Sequence, residues 1–166
     1  MKLYFLRHGI AYEREAWQGE NDELRPLTDE GVEDMKREAR TLRNMGLKLD
    51  TIVTSPLVRA RQTAKIVAKK LEMDVQEDVL LKPGFDVEAL GALLARHSAA
   101  RRLMLVGHEP DFSRTIAQLI GGGTVAMAKG GLARVDTDDD AADNRLLRGT
   151  LIWLLTPKLL GANNGH

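Results

Sequence analysis

The chain of 166 residues carries 24 Lys+Arg against 24 Asp+Glu, with 43% hydrophobic and 29% charged residues and no cysteine. That length suits one domain with a sizeable core, and the charge balance leaves no global field to draw nucleic acid or an acidic membrane. Without cysteine there can be no disulfide, no thiolate metal site and no cysteine-nucleophile phosphatase.

No apolar leader opens the chain and no run reaches membrane-spanning length, so the expectation is a cytoplasmic enzyme or binding protein. The first strand runs over Lys2–Leu6, followed by a polar segment, Tyr12 to Arg25, without periodicity. Thr28-Asp29-Glu30 starts a helix, with a capping hydroxyl and two acids at the positive end of the dipole. Val32, Met35, Ala39 and Leu42 then recur at helical spacing until Gly46. "DTIVTS" reads as a second strand, and Ser55-Pro56 as an N-cap with proline at the first helical position. Ala60, Ala64, Val67 and Leu71 line the helix that follows, and Val87, Leu90 and Leu94 mark a third.

"RLMLVG" is apolar enough for a central strand. Glu109-Pro110-Asp111 opens a fourth helix, carrying Phe112, Ile116 and Leu119 until Gly121 to Gly123. "GLARVD" and "GTLIWLL" are strands around the acidic turn "TDDDAADN". The alternation predicts an α/β three-layer sandwich, a mostly parallel central sheet with helices on both faces. Residues 1–157 form its single domain, and 158–166 a frayed tail.

Three strand ends hold the candidate chemistry. His8 follows the first strand, Arg59 lies in the first turn of the helix after the second, and His108 follows "RLMLVG". In a parallel sheet these ends share one edge, where ligands bind, so Arg7, His8, Arg59 and His108 can meet in one pocket. Planar guanidinium forks suit phosphoryl oxygens, and an unprotonated imidazole is a competent nucleophile toward phosphorus. Gly9 allows a sharp turn that keeps His8 unobstructed. Taken singly, each residue has a plainer reading: a solvated loop histidine, a helix-starting "GHEP", a surface cation. Their coincidence at three matching strand ends favours the pocket. His97 is read as a helix-ending cation and His166 as the last residue.

"LRHG", "LTDEG", "TSPLVRARQTA" and "VGHEP" resemble, in order, identity and spacing, the histidine phosphatase superfamily, over Lys2 to about Ile120. The short length and the "SPxxRAxQT" and "GHxP" forms look most like its SixA-like branch, named for phosphohistidine phosphatase. The resemblance implies His8 as the phosphorylated nucleophile, with Arg7, Arg59 and His108 holding the phosphoryl group and no metal or organic cofactor. It sets Glu109, directly after the second histidine, where acid phosphatases of the superfamily carry their proton donor. The phosphoglycerate mutases differ: Arg14 stands where their first motif has asparagine, and their insertion with a glutamate acid is missing.

The expectation is thus a metal-independent phosphatase acting on protein phosphohistidine. The alternatives are a broad phosphatase for small phosphate esters and a catalytically silent phospho-ligand binding module. "DTDDDAAD" lacks the glycine and terminal glutamate of a calcium loop, and Gly121 to Gly123 precede no Gly-Lys-Ser/Thr. Lys129 could lean over the pocket, but surface solvation is the simpler reading.

Overall fold

The computed structural model describes residues 1–19, 21–137 and 147–161. Its sheet has six strands: β1 (Lys2–Arg7), β2 (Thr51–Thr54), β3 (Val75–Glu77), β4 (Arg102–Gly107), β5 (Leu132–Thr137) and β6 (Gly149–Leu155). Their spatial order is β3-β2-β4-β1-β5-β6, parallel from β3 to β1 and antiparallel at β5 and β6. Among the described residues five α-helices accompany them: α1 (Asp29–Asn44), α2 (Val58–Leu71), α3 (Val87–Arg96), α4 (Asp111–Leu119) and α5 (Pro157–Gly161).

Alternation along the central strands builds two cores. Leu3, Phe5, Leu103 and Leu105 face one side with Leu90, Leu93, Phe112 and Ile116 of α3 and α4. Tyr4, Leu6, Met104 and Val106 face the other, against Met35, Leu42, Ala64 and Val67 of α1 and α2. Strands buried on both faces must be apolar throughout, which is why "RLMLVG" carries no polar residue after Arg102. The expected three-layer sandwich is the observed one.

Local differences have physical causes. Ser55-Pro56 does not cap α2: the helix begins at Val58 behind Leu57, and the Ser55 hydroxyl meets the Leu57 N–H and His108 Nε2 instead of a helical N–H. β3 is three residues long, with two of them exposed, too short and polar to give a period. The expected fraying from Pro157 is replaced over Pro157–Gly161 by α5, where Leu160 is buried and its carbonyl accepts from Thr41 Oγ1 at 2.6 Å. Residues 162–166, with His166, and most of the acidic turn lie outside the described residues. Gly9 has no left-handed φ; its need is close approach, since a Cβ would stand 2.7 Å from Met35 Cγ. Gly31 is tighter still, with a Cβ 2.0 Å from the Ile10 carbonyl oxygen.

Glu38 of α1 is 1% exposed, and both its carboxyl oxygens lack a partner among the described residues. Burial, helped by nearby Asp34, pushes its pKa up to about 8. The folded state therefore holds a proton that the unfolded chain releases near the ordinary value of 4.5. Stability is fully present below that value and is lost as pH rises through about 8. Glu38→Gln should abolish this loss, a gain at pH 8 relative to pH 4 of about 3–5 kcal/mol. Denaturant melts of both proteins across that range check it; parallel pH profiles would show that Glu38 does not titrate in this way.

Candidate active site

The carboxyl edge of β1, β4 and β2 brings the sequence-predicted residues together. Arg7 pairs in register with Gly107, and His8 N–H donates to the Gly107 carbonyl at 3.1 Å, so His8 and His108 emerge side by side. Their ring centroids are 5.4 Å apart. Arg59 reaches the same place from the first turn of α2. His8, Arg59 and His108 are each less than a tenth exposed.

The imidazoles are fixed by what their nitrogens meet. His8 Nδ1 lies 2.8 Å from the Gly9 carbonyl, which can only accept. Nδ1 therefore carries the proton and Nε2 the lone pair. His108 Nε2 lies 2.8 Å from Ser55 Oγ, which accepts from the Leu57 N–H at 3.3 Å. Ser55 Oγ, with two lone pairs and one rotatable proton, holds the His108 ring in place in either tautomer.

Burial pushes both rings below the ordinary imidazole range, His8 to about 3 and His108 to about 4. The Gly9 hydrogen bond works against the shift at His8, whereas His108, Arg59 and Arg7 add to it. Arg59 also adds to the shift at His108. Both are neutral at pH 7, so His8 Nε2 has its lone pair available without any base.

The arginines are held by their outer nitrogens. Arg7 Nη1 donates to the Met127 carbonyl at 2.7 Å. Arg59 Nη1 donates to the Asp22 carbonyl at 2.9 Å and Nη2 to Asp22 Oδ2 at 3.2 Å. Arg7 Nε, Arg59 Nε and His108 Nδ1 are buried without a partner among the described residues. A buried donor without a partner costs about 1–3 kcal/mol, so the two guanidinium Nε groups, with His108 Nδ1 beside them, make a place suited to an anionic oxygen. Burial also lowers both guanidinium pKa values, which deepens the demand for an anion. The arrangement can bind a phosphoryl group and present a neutral imidazole to its phosphorus.

Residues 3–82 match the family model described as the histidine phosphatase superfamily (branch 1). An uncharacterized protein of Picosynechococcus sp. is 44% identical over 115 residues, 67% of this chain and 68% of its own length. Phosphohistidine phosphatase SixA of Escherichia coli is 27% identical over 162 residues, 95% of this chain and 94% of its own length. The structure of the protein histidine phosphatase SixA complexed with tungstate superposes with a TM-score of 0.81 at 25% identity, covering 95% of this chain and 97% of that one. This chain belongs to the histidine phosphatase superfamily.

Within this histidine phosphatase, several residues escaped the sequence reading. Ser55 was legible only as a cap, and Thr63 only as part of α2. Thr63 Oγ1 accepts from Gly9 N–H at 3.1 Å and donates to the Arg59 carbonyl at 2.8 Å, tying the His8 turn to α2. Asp22 sits in the segment without periodicity, yet it gathers Arg59, Arg25 and Arg14 around one carboxylate. Lys129 pairs with Glu13 at 2.7 Å rather than lying free in solvent. His97 ends α3 as expected. Among the described residues, no group of three or more His, Asp or Glu could hold a metal ion.

Glu109 is half-buried, and its Oε1 accepts from the Ser113 N–H at 3.1 Å, capping α4 while stabilising the Arg7 cation. As a proton donor it would matter for alkoxide leaving groups, where general acids contribute about 10²–10⁴-fold, and little for aryl oxides. As a cap, its loss should act alike on all substrates or none. The cap geometry favours the second result for Glu109→Gln, measured on one alkyl and one aryl phosphate. A selective loss on the alkyl ester would make it the acid.

Proposed function

We propose that this histidine phosphatase hydrolyses protein phosphohistidine through a covalent phosphohistidine on His8, without a metal ion, in the cytoplasm. The observation that carries the mechanism is the 2.8 Å bond from His8 Nδ1 to the Gly9 carbonyl, which leaves a lone pair on Nε2 beside three unpartnered nitrogens. Nε2 attacks phosphorus in line with the leaving nitrogen. The new N–P bond forms as the old one breaks, and the departing imidazole takes a proton from water. Arg7, Arg59 and His108 hold the equatorial oxygens throughout. Water then attacks the phosphorus on His8, releasing inorganic phosphate and restoring the neutral ring.

The substrate class is supported by the likeness to SixA of Escherichia coli along nearly the whole chain. It is supported also by the stretch between α2 and β4, which is filled by β3, a 3₁₀ turn (Val79–Leu81) and α3, with no lid inserted over the site. A stretch without an inserted lid suits a side chain on a large partner, and imidazole departs without strong acid catalysis. Purified enzyme should therefore cleave a phosphohistidine protein with kcat/KM at least about 10²-fold above phosphoserine peptide or glycerol phosphate, the span a general acid would otherwise supply. Equal efficiency on all three would favour a broad phosphatase for small esters. Binding without turnover of any, including an aryl phosphate, would favour a silent phospho-ligand module.

A further inference from the structure

Lys2 opens β1 and Arg102 opens β4, at the end of the sheet opposite His8 and His108. There they line a cavity of about 340 Å³ with Tyr4, Lys48, Arg134 and Trp153. Arg102 gives Nε and Nη2 to Asp50, at 3.2 and 2.6 Å. Arg134 gives the same two nitrogens to Asp136, at 2.7 and 2.6 Å. Each carboxylate thus locks one edge of a guanidinium, and each Nη1 is left without a partner among the described residues. Lys2 and Lys48 form no ion pair among those residues either. The cavity thus gathers four cations around the two carboxylates of Asp50 and Asp136, with Lys2 also acting on Asp136, on a chain whose basic and acidic residues are equal at 24 each.

The opposite wall is aromatic. Tyr4 is 4% exposed, and its ring lies 6.0 Å from that of Trp153. No described residue hydrogen-bonds the Tyr4 hydroxyl, which Arg134 and Arg102 both influence electrostatically. A phenol hydroxyl that opens into the cavity beside two half-engaged guanidinium groups offers a further donor to an oxygen with negative charge. An indole beside it offers a flat surface for a ring. Volume, charge and aromatic wall fit a small molecule with both features.

We propose that this cavity binds a phosphorylated aromatic small molecule of the nucleoside monophosphate class, with phosphate on the cations and the ring against Trp153. The site is separate from the catalytic pocket and does not depend on the reaction assigned there. The two tryptophans allow a direct test, because Trp17 lies in the segment that carries Asp22 and Trp153 lines this cavity. Adenosine 5′-monophosphate is titrated at low salt while the two indole N–H resonances are followed, with phosphorus NMR confirming that the nucleotide stays intact. The Trp153 resonance should shift saturably, adenosine should have no effect, and inorganic phosphate should bind more weakly. Lys48→Ala, on the exposed loop after α1, and Arg134→Ala should each weaken the titration roughly 10-fold, the loss of one charge-assisted contact. Lys48→Ala should leave phosphatase turnover unchanged. A response confined to Trp17, equal binding of adenosine, or unchanged titrations in both variants would overturn the proposal.

Discussion

His8→Ala should remove hydrolysis of every substrate, with kcat lower by on the order of 10⁵–10⁶-fold, the scale of losing a covalent nucleophile. No other imidazole can take its place. His108 has its Nε2 tied to Ser55 Oγ at 2.8 Å. Rapid quenching under non-acidic conditions should trap phosphate on His8 in the unaltered protein and none in the variant. The pH dependence is a second arm of the same prediction. With His8 near 3 and His108 near 4, the acid limb of kcat/KM in the free enzyme should fall below pH 5. A limb near the ordinary imidazole value of 6.5 would mean that the rings titrate as solvated groups. Wild-type turnover in His8→Ala would end the mechanism altogether.

The same lowered values carry a stability cost with a definite sign. The folded state excludes protons that the unfolded chain takes up below about 6.5. The contribution of the two rings is therefore fully present above that pH and is lost as pH falls toward 4 and then 3. His8→Ala removes one of the two groups and should flatten this acid limb of stability while abolishing activity. That combination separates a lost nucleophile from a misfolded protein.

Arg59→Lys is expected to lower kcat/KM by about 30- to 1,000-fold, equivalent to about 2–4 kcal/mol of transition-state stabilisation. The reason is geometric. The guanidinium meets Asp22 through Nη1 and Nη2 while a third nitrogen, Nε, stays buried and unpartnered beside the site. An ammonium keeps the charge, but it cannot hold Asp22 on one edge and offer an oxygen a fixed donor on the other. Inhibition by inorganic phosphate should weaken in parallel, because the same donor is missing from the ground-state complex. Normal kcat/KM together with normal phosphate inhibition would show that Arg59 only braces Asp22 and the segment around it.

Much of this architecture is determined by local sequence. β1 and β4 announce themselves as apolar runs because a strand buried on both faces admits almost nothing else. α1 is legible from Thr28, whose hydroxyl accepts from the Gly31 N–H at 3.0 Å, and from Met35, Ala39 and Leu42 at helical spacing. Arg7, His8, Arg59 and His108 were legible as a group because parallel strands present all their carboxyl ends at one edge.

Tertiary structure alone decided the rest, since those contacts have no period and no fixed spacing. Ser55 reads as a helix cap until β4 sets His108 within 2.8 Å of its hydroxyl. Asp22 lies in a segment with no pattern, and becomes an anchor only when α2 carries Arg59 against it, 37 residues later. The tail from Pro157 looks featureless until α1 supplies Thr41 as a donor and an apolar face for Leu160. Periodic burial is written into neighbouring residues, because each helix or strand must show its apolar face at its own repeat. A hydrogen bond between distant residues leaves no such repeat, so only the folded chain reveals which donors and acceptors meet.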